Sequence, residues 1–415
     1  KELWGIDFFW IAAIGLVVLT ALYTIFGGMK SVLYTSVLQT PILLLGSLII
    51  LVLGFKELGG WDEMMRVCGA VTVNDYGDTM TNLIRSNDDA NFPWLGALIG
   101  SAIIGFWYWC TDQFIVQRVL SGKNEKEARR GTIFGAYLKL LPVFLFLIPG
   151  MIAFALHQKY IGAGGEGFLP MLANGTANAD AAFPTLVAKL LPAGVKGLVV
   201  CGILAALMSS LASLFNSSAM LFTIDFYKRF RPETPEKKLV GIGQIATVVI
   251  VILGILWIPI MRSVGDVLYT YLQDVQSVLA PGIAAAFLLG ICWKRTSAQG
   301  GMWGLIAGMI IGLTRLGAKV YYSNAGEVAD STFKYLFYDM NWLFFCGWMF
   351  LFCIIVVIVV SLATEAPTAE KIQGLVFGTA TKEQKAATRA SWDHWDIIHT
   401  VIILAITGAF YWYFW

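Results

Sequence analysis

In Gly105-Phe-Trp-Tyr108-Trp109-Cys-Thr111-Asp112-Gln113-Phe-Ile-Val-Gln-Arg118, a carboxylate and several hydrogen-bonding side chains interrupt a segment that is otherwise apolar enough for hydrocarbon. Such groups are costly in a membrane and are kept there to meet something polar. Aromatic faces beside amide and carboxylate edges suit a hydroxyl-rich ring, whose C–H faces stack on Tyr108 or Trp109 while its hydroxyls reach Asp112. The competing reading is an interfacial aromatic belt with an Asp112–Arg118 pair along one helix. The string lies near the middle of its segment, which favours contact with a solute. Lys139 is about ten residues past Arg129-Arg130 and just before Pro142. That is about 15 Å of helical rise, too deep for easy snorkelling, so Lys139 is expected to face a polar cavity or a carboxylate. Asp112 is the candidate partner, and a purely structural buried pair is the alternative.

Two further groups could bind ligands. Ala206, Ser209/Ser210, Ser213 and Ser217 recur at helical spacing as a narrow small-and-polar stripe. Such stripes commonly let helices pack closely, yet hydroxyls and a backbone carbonyl also offer the neutral oxygens that a hard monovalent cation needs. In Gln273-Asp274-Val-Gln276-Ser277, followed by Ala280-Pro281-Gly282, the Pro-Gly pair is expected to loosen the helix. Gln273 or Gln276 is then either a wall of a site or part of a polar clamp between helices.

The elements that must hold these residues are membrane helices. Of the 415 residues 58% are hydrophobic and 13% charged, which excludes a soluble domain. A span takes about 20 apolar residues, and ten segments qualify: roughly 5–27, 29–54, 93–121, 127–157, 183–227, 238–261, 266–291, 300–318, 341–363 and 396–414. They are too long and continuous for barrel strands, so the fold class is all-α and polytopic. Alternate loops carry Lys30, Lys123/Lys126/Arg129/Arg130, Lys228/Arg229/Arg231/Lys237/Lys238, Lys294/Arg295 and Lys371/Lys382/Lys385/Arg389, whereas the 55–92 loop is rich in Asp and Glu. The positive-inside rule then places both ends of the chain outside a cell membrane. Cys110, Cys201, Cys346 and Cys353 fall in helices, Cys292 at a helix end and Cys68 alone in the outer loop, so no external disulfide is expected. His157, His394 and His399 lie near helix ends and form no metal-ligand cluster. With no nucleophile–base pair or phosphate loop, an enzyme is not expected.

The string Trp107 to Asn124, together with Tyr137-Leu-Lys139-Leu-Leu-Pro142 and Pro149-Gly-Met151, resembles the sodium/glucose cotransporter branch of the sodium:solute symporter family. So do Tyr23-Thr-Ile-Phe-Gly-Gly28 with Leu38-Gln-Thr40, Ala205 to Ser217 with Phe222 to Tyr227, and Ile283 to Gly290 with Trp293-Lys-Arg295. The motifs keep their order and spacing over most of the chain. The resemblance implies that Tyr108, Trp109 and Asp112 meet sugar and that Lys139 is the mid-membrane sugar-binding lysine. It also implies that Gln273 is the sugar-binding glutamine, and that sodium takes a backbone oxygen of Ala206 and the hydroxyls of Ser209 and Ser210.

By that resemblance 1–54 are the last two helices of a first five-helix repeat, 93–291 a second, inverted repeat and 292–415 trailing helices. The first core helices are then missing. The chain begins Lys1-Glu2-Leu3-Trp4, without an initiator Met, and is expected to continue a longer protein; as a truncated piece it is expected to be inactive. Two departures stand out: Ser36, where many relatives have an aspartate that helps sodium leave, and Gly105, where some have a hydroxyl. The implied activity is sodium-coupled symport of a glucose- or galactose-like sugar by alternating access, with sodium as the coupling ion. A symporter for myo-inositol or another polar solute, and a sugar-gated sensor or leak channel, are the alternatives. The implied partners are a sugar or polyol and membrane lipid, not nucleic acid, and both monomer and homodimer stay open.

Overall fold

The computed structural model describes residues 2–3, 6–172, 175–262, 268–324 and 329–415. Apart from a short ribbon pairing Glu2–Leu3 with Ile6–Asp7, regular structure in it is helical. Helix α1 (Phe8–Leu58) runs 51 residues without a break, so the two segments expected on either side of residue 28 are one helix. Gly27 and Gly28 each weaken a helix by roughly 1 kcal/mol but block nothing, and no proline follows to stop the turn until Pro41. The acidic stretch read as a loop contains α2 (Trp61–Gly69), which buries Met64 and Cys68. Then come α3 (Trp94–Phe106), α4 (Gln113–Leu120), α5 (Glu125–Pro142), α6 (Ile148–Gly162) and α7 (Ala182–Leu190). Pro192 separates α7 from α8 (Ala193–Leu221), and α9 (Glu236–Arg262) and α10 (Leu268–Cys292) follow. Last are α11 (Ala298–Asn324), α12 (Trp342–Ala363), α13 (Lys382–Ser391) and α14 (His394–Tyr413).

Among the described residues nine helical runs are long and apolar enough to cross a bilayer, and Trp10–Ile25 is a shorter apolar one. The nine coincide with the second to tenth expected segments. Large apolar side chains such as Leu98, Ile245 and Leu404 are left 65%, 66% and 65% exposed. In water that would be an aggregation hazard; in hydrocarbon it costs nothing. The chain is a multi-pass membrane protein.

By packing, the chain forms two compact units, residues 1–70 with 140–265 and residues 71–139 with 266–415. In the first, α1 lies along α8, close because Gly46 leaves room for Val199 and Gly202 for Ile42. Helix α9 closes on both through Ala21, Phe215 and Val251. Lys159 donates to the carbonyl of Leu58 at 3.0 Å and satisfies the end of α1.

In the second unit α10, α11 and α12 pack against one another, with Gly282 and Gly308 meeting backbone to backbone. Helix α3 closes on α10 and α12 through Ile103, Ile104, Ala280, Ala284, Leu343 and Cys346. Helix α14 has no buried residue; polar ties hold it, Tyr137 to His399 at 3.1 Å and Arg130 to Asp393 at 3.5 Å. The 71–93 loop is tied down by polar contacts as well. Asn74 donates to Asp78 and Asp89, Ser86 N to Asp78, and Asn91 N and Phe92 N to Asp89. Asn341 and Trp342 donate to the loop carbonyls of Ala90 and Asn91.

These bonds predict a pH response. The Asn74 side chain and the Ser86 amide hold the Asp78 carboxyl below its ordinary value. Burial works upward on Asp89, but the Phe92, Asn91 and Asn74 donors and the Arg85 charge outweigh it. Both groups therefore support the loop above the ordinary carboxylate value of about 3.9, and that support fades as pH falls toward their lower folded values. Hydrogen-exchange protection at Ser86, Asn91 and Phe92, measured relative to the intrinsic rate at each pH, should be high at neutral pH and fall near pH 3. Asp89→Ala should show the lower protection at Asn91 and Phe92 already at neutral pH. A second expectation concerns packing: a Cβ at Gly308 would lie 3.0 Å from Gly282 Cα. Gly308→Leu should thus cost about 1–3 kcal/mol or more, read as a lower melting temperature in detergent.

Candidate functional site

The expected third span, 93–121, is broken at its chemistry. After α3 the helix widens into a π-turn over Trp107–Thr111, with Asp112 N donating to Trp107 O at 3.1 Å and Thr111 Oγ1 to the same carbonyl at 2.7 Å. Asp112 is extended (φ −72°, ψ 118°), and its carboxylate accepts from Phe114 N at 3.0 Å, capping α4. The aspartate therefore does a structural task that a sequence reading did not assign to it: it meets an open helix N-terminus in an apolar segment. π-turns inside helices are frequent at functional sites, because they re-aim neighbouring side chains.

On this turn Tyr108 and Trp109 meet edge to face, with ring centroids 5.3 Å apart. From α5, the Lys139 ammonium stands 5.4 Å from the Trp109 centroid and 6.0 Å from that of Tyr108. Among the described residues Lys139 has no ion pair with Asp112; the expected carboxylate partner is replaced by two ring faces, whose quadrupoles attract a cation. Trp109 is 46% exposed and Lys139 is exposed as well. Two aromatic faces and three N–H donors on one ammonium thus stand together and open to a ligand, a combination that can stack a ring and bind its oxygens.

Gln273 lies on α10, which packs against the same π-turn, and donates Nε2 to Tyr269 OH at 2.9 Å. The helix runs unbroken through Pro281 and Gly282, contrary to the expected loosening. Gly282 is used for contact with Gly308, and Ala280, Ala284 and Ala285 are buried on either side of the proline. One residue on, Asp274 makes the interhelical polar clamp that was weighed for this stretch. Its Oδ2 is 2.5 Å from Lys319 Nζ and its Oδ1 3.6 Å from the Arg315 guanidinium. Arg315 and Lys319, four apart on α11, went unread in the sequence. Two cations one turn apart in an apolar helix, with an aspartate in the preceding helix, were the available signal.

The stripe on α8 lies in the first unit. Ser209, Ser213 and Ser217 are buried, Ala206 is partly buried and Ser210 is exposed. Ser213 donates to Ser209 O at 3.0 Å and Ser217 to Leu214 O at 3.1 Å, so these two hydroxyls also bond within their own helix. At Ser209 the stripe meets α1: Ser36 Oγ and Ser209 Oγ share a hydrogen bond of 2.5 Å, and Tyr23 OH donates to Met208 O at 2.7 Å. Ser36, the departure noted above, thus touches one of the three residues expected to hold sodium. All the donors there are neutral oxygens, which fit a weakly held monovalent cation better than a transition metal.

Known proteins are similar to this chain over most of its length. The chain is 35% identical over 427 residues to the sodium/mannose cotransporter of Bos taurus, covering 98% of this chain and 72% of that one. It is 35% identical to the sodium/myo-inositol cotransporter 2 of Homo sapiens, and 38% to the sodium/glucose cotransporter 1 of Ovis aries, over 89% and 87% of its own length. It spans 56% and 57% of those two relatives. In fold it is similar to a substrate-bound, outward-open Na+-coupled sialic acid symporter (TM-score 0.66, 22% identity), with 88% of this chain and 68% of that one covered. The model of the sodium:solute symporter family matches residues 1–308, and with motifs, relatives and fold in agreement, the chain belongs to that family.

Proposed function

We propose that this chain carries cation- and solute-binding helices of a sodium-coupled symporter for a sugar or polyol, glucose- or galactose-like in shape. The observation that supports this most directly is the Lys139 ammonium beside the half-buried ring of Tyr108 and the exposed ring of Trp109. Tyr108 and Trp109 stack on the ring of the solute, Lys139 donates to its hydroxyls, and Gln273 supplies an amide. Asp112 acts by holding the π-turn that presents the two aromatics. Sodium takes Ala206 O and the hydroxyls of Ser209 and Ser210. Coupling requires that both ligands prefer the same conformational state, and the membrane potential contributes about 2.3 kcal/mol per charge per 100 mV.

A second solute reading, myo-inositol, is supported by the relatives, which include inositol as well as glucose and mannose cotransporters at nearly equal identity. Competition of D-glucose, D-mannose and myo-inositol for uptake separates them. Ser36 motivates a third reading, a sensor or leak channel, because its hydroxyl and not a carboxylate meets Ser209. Accumulation of solute against its gradient would dismiss that one.

In the full-length protein reconstituted in proteoliposomes, Lys139→Ala should raise the solute KM about tenfold, the loss expected for a charged donor beside a neutral acceptor. Ser210→Ala should instead raise the sodium concentration for half-maximal uptake by a similar factor, with solute KM at saturating sodium little changed. Ser36→Ala, which frees the Ser209 hydroxyl, should also move sodium dependence more than solute KM. Solute counterflow indifferent to sodium concentration would refute the ion assignment.

A further inference from the structure

The second unit holds a buried charge cluster that neither solute nor sodium binding uses. Asp274 on α10 faces Lys319 at 2.5 Å and Arg315 at 3.6 Å, both on α11. Two cations stand against one carboxylate, and the Arg315 side chain is 0% exposed. Yet Arg315 is anchored independently of Asp274. It donates to Met340 O at 2.8 Å and Leu336 O at 3.4 Å, carbonyls at the end of the π-turn Tyr335–Asp339, and its guanidinium lies 4.1 Å from the Phe345 centroid. The close partner of Asp274 is Lys319, whose side chain is 29% exposed. Buried ion pairs of this kind add little net stability, since desolvation offsets attraction; their best attested use is fixing register.

Register is what α10 needs at this point. Its contacts with α11 include Gly282 against Gly308 and Val278 over Gly312, and in both α11 contributes a glycine and no side chain to hold the rotation of α10. Asp274 directly follows Gln273, about 100° around the helix axis. A rotation of α10 by roughly 10° carries a side-chain end by about 1 Å, a displacement that can cost orders of magnitude in a positioned contact. We propose that the Asp274–Lys319 pair sets the rotation of α10 and thereby the direction in which Gln273 meets the solute. Asp274 and Lys319 are positioning residues and do not touch the solute. The proposal rests on the reading of Gln273 as a solute ligand.

Lys319→Met is the informative variant, because it leaves Asp274 and Arg315 as a balanced pair. In full-length protein in proteoliposomes, with labelled D-glucose, D-mannose or myo-inositol, whichever is taken up best, it should raise solute KM about fivefold or more. The kcat, the sodium half-saturation and the melting temperature in detergent should stay near wild type, and Lys319→Arg should restore KM. Lys319→Gln, which keeps a donor without the charge, should fall between and replaces the Met variant if that fails to fold. Gln273→Ala is measured alongside. If it raises KM while Lys319→Met and Lys319→Gln do not, the positioning role is wrong and the solute role of Gln273 stands. If Gln273→Ala leaves KM unchanged, the solute role falls and the proposal with it. A Lys319→Met protein with lower melting temperature and kcat at unchanged KM has lost a structural contact only, which also overturns the proposal.

Discussion

Hydrocarbon offers no hydrogen bond, so each polar group within a span must find its partner in the protein. The described helices meet this constraint locally wherever they can. Thr20, Thr24, Thr247, Thr314 and Thr407 all return their hydroxyls to the carbonyl four residues back. Where a helix opens, the same rule selects a stronger group: Asp112 caps α4, and Arg315 collects the carbonyls of Leu336 and Met340. The π-turn at Trp107–Thr111 is tolerable because Thr111 and the Asp112 amide both serve the Trp107 carbonyl. With its backbone bonds thus closed, the turn leaves the rings of Tyr108 and Trp109 uncommitted to that task, which is what the proposed solute role requires.

The second requirement is close approach without a hydrophobic driving force, since lipid tails are as apolar as leucine. Glycines meet it in both units: Gly46 and Gly202 between α1 and α8, Gly282 and Gly308 between α10 and α11. In each, the glycine helix offers a hollow and no side chain of its own, so the approach is close while rotation is left for other contacts to fix. The polar pairs, Ser36 with Ser209 and Asp274 with Lys319, sit on the same helix pairs as these smooth contacts. Glycine brings a pair of helices together, and a polar bond then chooses which faces meet.

Much of this was legible in residue order. Spans two to ten follow from hydropathy alone, because a run of about 20 apolar residues has few other uses. The group of Tyr108, Trp109 and Lys139 was visible as expensive polarity at depth. What failed were the readings that depend on local backbone choice. Residue 28 is expected to part the first two spans, yet glycine permits a turn without requiring one, and α1 continues. Pro281-Gly282 reads as a place where the helix loosens, but α10 runs on through it, packed against α11 and α12. Asp112 was read as a partner for Lys139 because charge invites charge; a helix N-terminus within the span competed for it and won. Arg315 and Lys319 were missed because their meaning depends on α11 folding back along α10.

The electrostatics of the solute-side helices narrow what they can recognise. Around α5, α10 and α11 of the second unit, Lys139, Arg315 and Lys319 stand against Asp112 and Asp274, and both carboxylates are already engaged, one by the Phe114 amide and one by Lys319. A cationic solute would bring a like charge to an ammonium that stands beside two ring faces, in a medium where repulsion over a few ångströms is several-fold stronger than in water. Hydroxyl oxygens bring no charge and accept what Lys139 has to donate. On the proposed reading, the excess of positive charge disfavours amines as solutes and leaves the coupling cation to the uncharged oxygens of α8.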